Sequence, residues 1–137
     1  MKVAICASMV FAEKMVQVKR QLEEIGHIAF ISQFAVGYLS KDEKEKEKLA
    51  VHDKNEHDAI RKFWSIIKKS DAVLVLNYDR KGIKNYIGGN TLMEIGFAHV
   101  LNKKIFLMNP IPDIEFYRSE IEAVRPVILE QDLHKIM

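Results

Sequence analysis

The chain has one cysteine, Cys6, in 137 residues. With no second thiol no internal disulfide can form, which suits a reducing cytoplasm. It also lacks an excess of charge of one sign. Twenty-one Lys and Arg against nineteen Asp and Glu leave a formal net charge of +2. That excludes the strong field expected of a protein that binds a nucleic acid polymer or a membrane surface. No apolar run approaches the roughly 20 residues that span a bilayer. The short run in Met1 to Ala12 ends at Glu13-Lys14 without a cleavage site, and reads as a buried strand rather than a leader. The five histidines are scattered, and His52 and His57 lack the i,i+4 spacing of a helical metal pair, so no metal is expected. There is no P-loop, no G-x-S-x-G, no internal repeat and no linker.

What is present is globular composition, 48% apolar and 29% charged, in a length that suits a single domain over residues 1–137. Lys2 to Ala7 is a nearly continuous apolar run, the pattern of a strand covered on both faces. Phe11 to Ile25 carries Met15, Val16, Val18, Leu22 and Ile25 at helical spacing, and Gly26 ends it. His27 to Ser32 reads as a second strand and Gln33 to Ser40 as a loop. Alternating charges from Lys41 to Lys48 read as a solvated helix face. That helix is expected to run on to Lys69, with an inner stripe of Ala59, Ile60, Phe63, Trp64, Ile66 and Ile67. Ala72 to Leu76 is the clearest buried strand. Asn90 to Leu101 is an apolar helix, Lys103 to Met108 a fourth strand, Asp113 to Ala123 a short helix and Pro126 to Leu129 a last strand.

Strands alternating with helices imply an α/β fold with helices on both faces of a parallel sheet. Five strands suit a flavodoxin-like or Rossmann-like three-layer sandwich of order 2-1-3-4-5. Ligands of such sheets sit beyond the carboxyl ends of the strands, where the order reverses. That switch lies between the first and third strands, so Ala7 to Val10 and Asn77 to Gly89 should border a site.

Glu94 is the leading candidate in that region, because a carboxylate in an apolar helix needs a reason. With Thr91 it has the T-x-x-E spacing of a capping box, which would make it a first-turn cap. Its apolar neighbours suit instead a nucleophile or a hydroxyl ligand. Gly88 and Gly89 either serve a positive-φ turn or let backbone approach a ligand closely. Asp79 is a candidate second acid and Arg80 a candidate phosphate contact. Both are also plain loop-tip residues. Ser8 either caps the first helix or offers its hydroxyl to a ligand. Asp71 lies at the wrong end of its strand and reads as a turn residue. His99 reads as a core histidine.

The segment Asn90-Thr91-Leu92-Met93-Glu94-Ile95-Gly96-Phe97-Ala98, followed by Lys103-Lys104-Ile105-Phe106, is similar to the G-T-x-x-E-x-G-x-A block and following strand of the nucleoside 2-deoxyribosyltransferase superfamily. Ser70 to Leu76 resembles its strand before the active-site loop. The resemblance implies a flavodoxin-like fold, no cofactor and Glu94 as nucleophile toward the anomeric carbon of a nucleoside or nucleoside 5′-monophosphate. A second base or water would resolve the glycosyl-enzyme. Gly88, Gly89, Asn90 and Thr91 would bind substrate, and a homo-oligomer is implied because neighbouring subunits often complete such sites. Three positions depart from the pattern. Phe63 stands where the family carries an Asp, Ile5 and Cys6 where it often has a Tyr, and Asn90 where it has a Gly. A further resemblance, to cytokinin-activating phosphoribohydrolases, rests on Gly88-Gly89-Asn90-Thr91-Leu92-Met93-Glu94, one residue short of G-G-x-G-T-x-x-E. The alternative function is a nucleotide-binding module without turnover, and a third is a fold used only for assembly, with Glu94 purely a cap.

Overall fold

Strands whose residues are apolar on both faces demand cover on both faces, and the structure supplies it. In the computed structural model, which describes residues 1–137, β1 (Lys2–Cys6) and β3 (Ala72–Val75) form the sheet centre. All five strands are parallel, in the order β2-β1-β3-β4-β5, with β2 at Ile28–Phe30, β4 at Lys104–Leu107 and β5 at Val127–Ile128. The register Val3↔Ala72 through Cys6↔Val75 sets β1 directly beside β3. The sheet order expected from the alternation of elements is the one observed.

Alternate side chains build two cores. Val3, Ile5, Leu74 and Phe106 pack under Met15, Val18 and Leu22 of α1 (Ala12–Glu24). Ala4, Cys6, Val73 and Leu107 pack under Phe63 and Ile67 of α3 (Ala59–Lys69), Ile95 and Ala98 of α4 (Gly89–Val100) and Ile121 of α5 (Arg118–Ala123). Burial of each such aliphatic side chain contributes roughly 1.5–3 kcal/mol.

The expected single helix to Lys69 is two helices. α2 (Glu43–Glu56) ends at His57, and Asp58 adopts φ 50°, the left-handed region, before α3 begins. Asp has a short polar side chain that tolerates this conformation. The expected loop Gln33 to Ser40 contains a 3-10 turn at Ala35–Tyr38, and α1 is preceded by another at Met9–Phe11. The fifth helix is shorter than its pattern implied.

Two asparagines tie the strand ends together. Asn77 Nδ2 donates to the carbonyls of Asn109 and Pro110, and Asn109 N–H and Nδ2 donate back to Asn77. This pairing fixes the loops after β3 and β4 against each other. Asp71, at the opposite end of β3, accepts the Lys2 N–H at 2.7 Å and is a structural turn residue.

Candidate functional site

The loop after β3 folds on itself before it reaches α4. Arg80 and Ile83 exchange two backbone hydrogen bonds, and Tyr86 N–H donates to Tyr78. Asp79 Oδ1 accepts the Asn85 N–H at 2.9 Å. This loop and the Ala7–Val10 segment flank a cavity of about 340 Å³ at the carboxyl edge of the sheet. That volume lies within the range of small-molecule sites.

Ser8, Arg80, Gly88, Gly89, Asn90, Thr91 and Glu94 all line this one cavity. Asp79 does not. It is exposed, and its carboxylate is used to fix the loop, so its expected place as a second acid is corrected to a structural one.

Glu94 is 7% exposed and makes no hydrogen bond to protein. Burial pushes its pKa up to about 8. The capping-box alternative is not formed. α4 is capped by the Gly88 backbone without a side-chain bond, so Glu94 is its sixth residue, a turn too late to be a cap. Beneath it, Cys6 is fully buried, and its thiol is pushed well up by burial and then by Glu94, which makes it inert.

Neither Gly88 nor Gly89 uses positive φ. A Cβ on Gly88 would meet the Tyr86 hydroxyl at 2.8 Å, whereas one on Gly89 would meet nothing within 4 Å. Gly88 therefore admits Tyr86, and Gly89 leaves its backbone open. The first intrahelical bond of α4 is Leu92 N–H to Gly88, which leaves the amides of Gly89, Asn90 and Thr91 without protein acceptors. Three such donors with the positive end of a helix dipole favour an anionic group. Asn90 Oδ1 is buried without any partner, at a cost of about 1–3 kcal/mol for a group of this kind.

Arg80 is already engaged. Its side chain is 12% exposed and pairs with Glu43 at 3.1 Å and Glu47 at 2.9 Å. It also donates to Tyr86 Oη, reaches Ser8 Oγ at 3.5 Å and stacks over the Tyr86 ring. Arg80 thus lines the cavity as a candidate phosphate contact while also clamping α2 to the β3 loop. Ser8 makes no side-chain cap, so its hydroxyl faces Arg80 and the cavity.

α2 forms the opposite wall. Its inward positions Lys46, Ala50 and Asp53 fall at i, i+4 and i+7, yet two of the three are charged. Lys46 is 6% exposed and donates to Glu13 at 2.5 Å and to the Val10 carbonyl. Asp53, also 6% exposed, accepts the Tyr38 hydroxyl at 2.7 Å. Burial and then Asp53 push Tyr38 above its ordinary value, so it keeps its proton. The charge run is therefore only partly a solvated face. A charged stripe at helical spacing was the signal for Lys46 and Asp53, and alternation of sign obscured it.

The stretch Asn90 to Leu101 is less embedded than its apolarity implied. Met93, Gly96, His99 and Val100 are exposed, so His99 is a surface residue rather than a core histidine. The His52 and His57 rings lie 5.1 Å apart edge to face, and no group of three or more His, Cys, Asp or Glu is placed to hold a metal. No helix is long and apolar enough to cross a membrane.

No protein-family model matches the chain. No curated protein matches it either. Among solved structures it is similar to a 2-deoxyribosyltransferase from the psychrotolerant bacterium Bacillus psychrosaccharolyticus, with a TM-score of 0.50. The chain shares that protein's fold. The two are 17% identical, and the match covers 78% of this chain and 71% of the other. That enzyme is described as a biocatalyst for the synthesis of antiviral and antitumoral nucleosides. At this identity the likeness speaks to architecture, and any activity must be argued from the cavity.

Proposed function

We propose that this protein binds a nucleoside or nucleoside 5′-monophosphate in the cavity and cleaves or transfers its N-glycosidic bond through Glu94. The observation that carries the proposal is Glu94 itself: a nine-tenths buried carboxylate, unpartnered by protein, lining the cavity at the carboxyl edge of the sheet. The fold shared with a 2-deoxyribosyltransferase supports it. A Glu94 oxygen attacks the anomeric carbon, and the carbon–nitrogen bond breaks with its electrons leaving on the base, which takes up a proton. Water or a second base then attacks the same carbon, loses a proton that balances the one taken up by the departing base, and releases Glu94 as a carboxylate. A 5′-phosphate or 5′-hydroxyl meets the open amides of Gly89, Asn90 and Thr91 rather than Arg80. Asp79 takes no part.

Base release from a panel of nucleosides and 5′-monophosphates tests this directly. Wild type is expected to release base and Glu94→Ala to lose at least about a hundredfold in rate. An inactive wild type, or a fully active variant, overturns the proposal. Because the attacking form is ionised, kcat/KM is expected to rise with pH and level off above about pH 8.

A second reading, binding without turnover, is favoured by one observation. Phe63 lines the cavity where the family resemblance implies an Asp. It is distinguished by saturable nucleotide binding with no base release at any pH. The proposed setting is the cytoplasm, which suits the single buried thiol. The proposed assembly is a homo-oligomer formed through α4, where Met93 is 42% and Val100 79% exposed.

A further inference from the structure

Two ends of the cavity can be told apart by the elements that build them. The start of α4 supplies Glu94 and the open amides, which suit a sugar and its 5′ group. The other end is built by α2 and the 3-10 turn before it, and holds Phe34, Tyr38 and Asp53. Phe34 is half-buried, with its ring stacked against His57 at 6.0 Å. Lys62 Nζ lies 5.3 Å from the centroid of the same ring, so Phe34 lines this end as part of a packed cluster rather than as an open stacking face.

Asp53 lines the cavity from α2 and is incompletely used. Oδ2 accepts the Tyr38 hydroxyl. Oδ1 has no protein partner and is not sealed from solvent, while the residue as a whole is 6% exposed and lines the cavity. Tyr38 is 1% exposed, so its hydroxyl fixes the carboxylate from behind. A carboxylate held this way offers only acceptors to a ligand.

Resting on the nucleoside proposal above, we infer that Asp53 makes the cavity selective for bases that carry an exocyclic amine, such as cytosine and adenine, over those with a carbonyl in its place. An amine donates to Oδ1. At the position an amine occupies, a carbonyl oxygen sets two acceptors against each other, and the base must shift along its edge to bring its ring N–H to Oδ1 instead. Asp53→Asn keeps the shape and can still accept from Tyr38 through its Oδ1. It then turns an N–H donor into the cavity and should reverse the preference.

The test is calorimetric binding of matched pairs, cytidine against uridine and adenosine against inosine, to wild type, Asp53→Asn and Tyr38→Phe. Wild type should favour the amine member of each pair by about tenfold. Asp53→Asn should abolish or invert that ratio. Tyr38→Phe keeps the carboxylate and should retain the direction of preference at lower affinity. Equal binding of the two members by wild type overturns the inference while leaving the nucleoside proposal standing. An unchanged preference in a folded Asp53→Asn does the same. Failure of every nucleoside and nucleotide to bind overturns both. If Asp53→Asn does not fold, the wild-type ratios and Tyr38→Phe still decide the matter.

Discussion

Glu94 carries a thermodynamic signature that can be measured without a substrate. Its pKa is about 8 in the folded chain against 4.5 for an ordinary Glu. Between those values the unfolded chain has lost a proton that the folded chain keeps, so the Glu94 contribution to stability falls as pH rises from about 4.5 to 8 and is constant outside that window. Glu94→Gln removes this linkage. It is expected to be more stable than wild type at pH 7, by up to about 3 kcal/mol, and to match it near pH 4. Denaturant unfolding at the two pH values checks this, and an equal difference at both would show that burial does not control Glu94. The two glycines are expected to part company. Gly88→Ala forces Tyr86 away from Arg80 and should cost about 1–3 kcal/mol. Gly89→Ala meets nothing, and at the first helical position should fold as well as wild type or better by about 0.4–1 kcal/mol, yet weaken nucleotide binding. Thermal unfolding and titration separate the two effects.

At the level of elements, one spacing gives two outcomes. Asp42-x-x-Glu45 and Thr91-x-x-Glu94 both fit a capping box. The first forms: Glu45 N–H donates to Asp42 Oδ1 at 2.8 Å and Glu45 Oε1 accepts the Asp42 N–H. The second does not, because α4 starts three residues earlier than a Thr91 cap would require, at Gly89 after the folded-back loop. Helix α2 is held over the cavity by ion pairs instead of an apolar stripe. Glu43 and Glu47 meet Arg80, Lys81 meets Glu47, and Lys46 meets Glu13. Arg80→Met should loosen that attachment. The expected result is faster amide hydrogen exchange through Glu43–Glu56 with the β1 and β3 amides unchanged. Glu43→Gln alone should cost less than about 1 kcal/mol, since its carboxylate is half exposed. Uniform exchange throughout the chain would mean that Arg80 supports the whole fold rather than α2.

For the whole molecule, the parallel order β2-β1-β3-β4-β5 sets the site between the ends of β1 and β3, where neighbouring connections leave in opposite directions. The cores on either face of the sheet hold it, and among the apolar residues left exposed Met93 and Val100 lie on α4. If Met93 and Val100 pack against a second copy, wild type runs as a dimer or larger on light scattering, and Val100→Glu shifts it toward monomer with the fold intact. A monomeric wild type at high concentration would remove the proposed interface.

The sequence by itself determined the layers and the strand order. Runs such as Ala72–Leu76 bury both faces, and helices alternating with strands permit few arrangements. It also determined that Glu94 and the Gly88–Thr91 segment share one place, because they are continuous in the chain. Only the tertiary structure decided which polar residues join them. Lys46 and Asp53 lie far from Glu94 in sequence, and whether each faces solvent, a partner or the cavity depends on where α2 docks. The left-handed Asp58 and the Arg80 ion pairs fix that docking, and neither leaves a periodic trace. Periodicity reports burial against a core. It does not report burial against a cavity, where charged side chains take the inward positions.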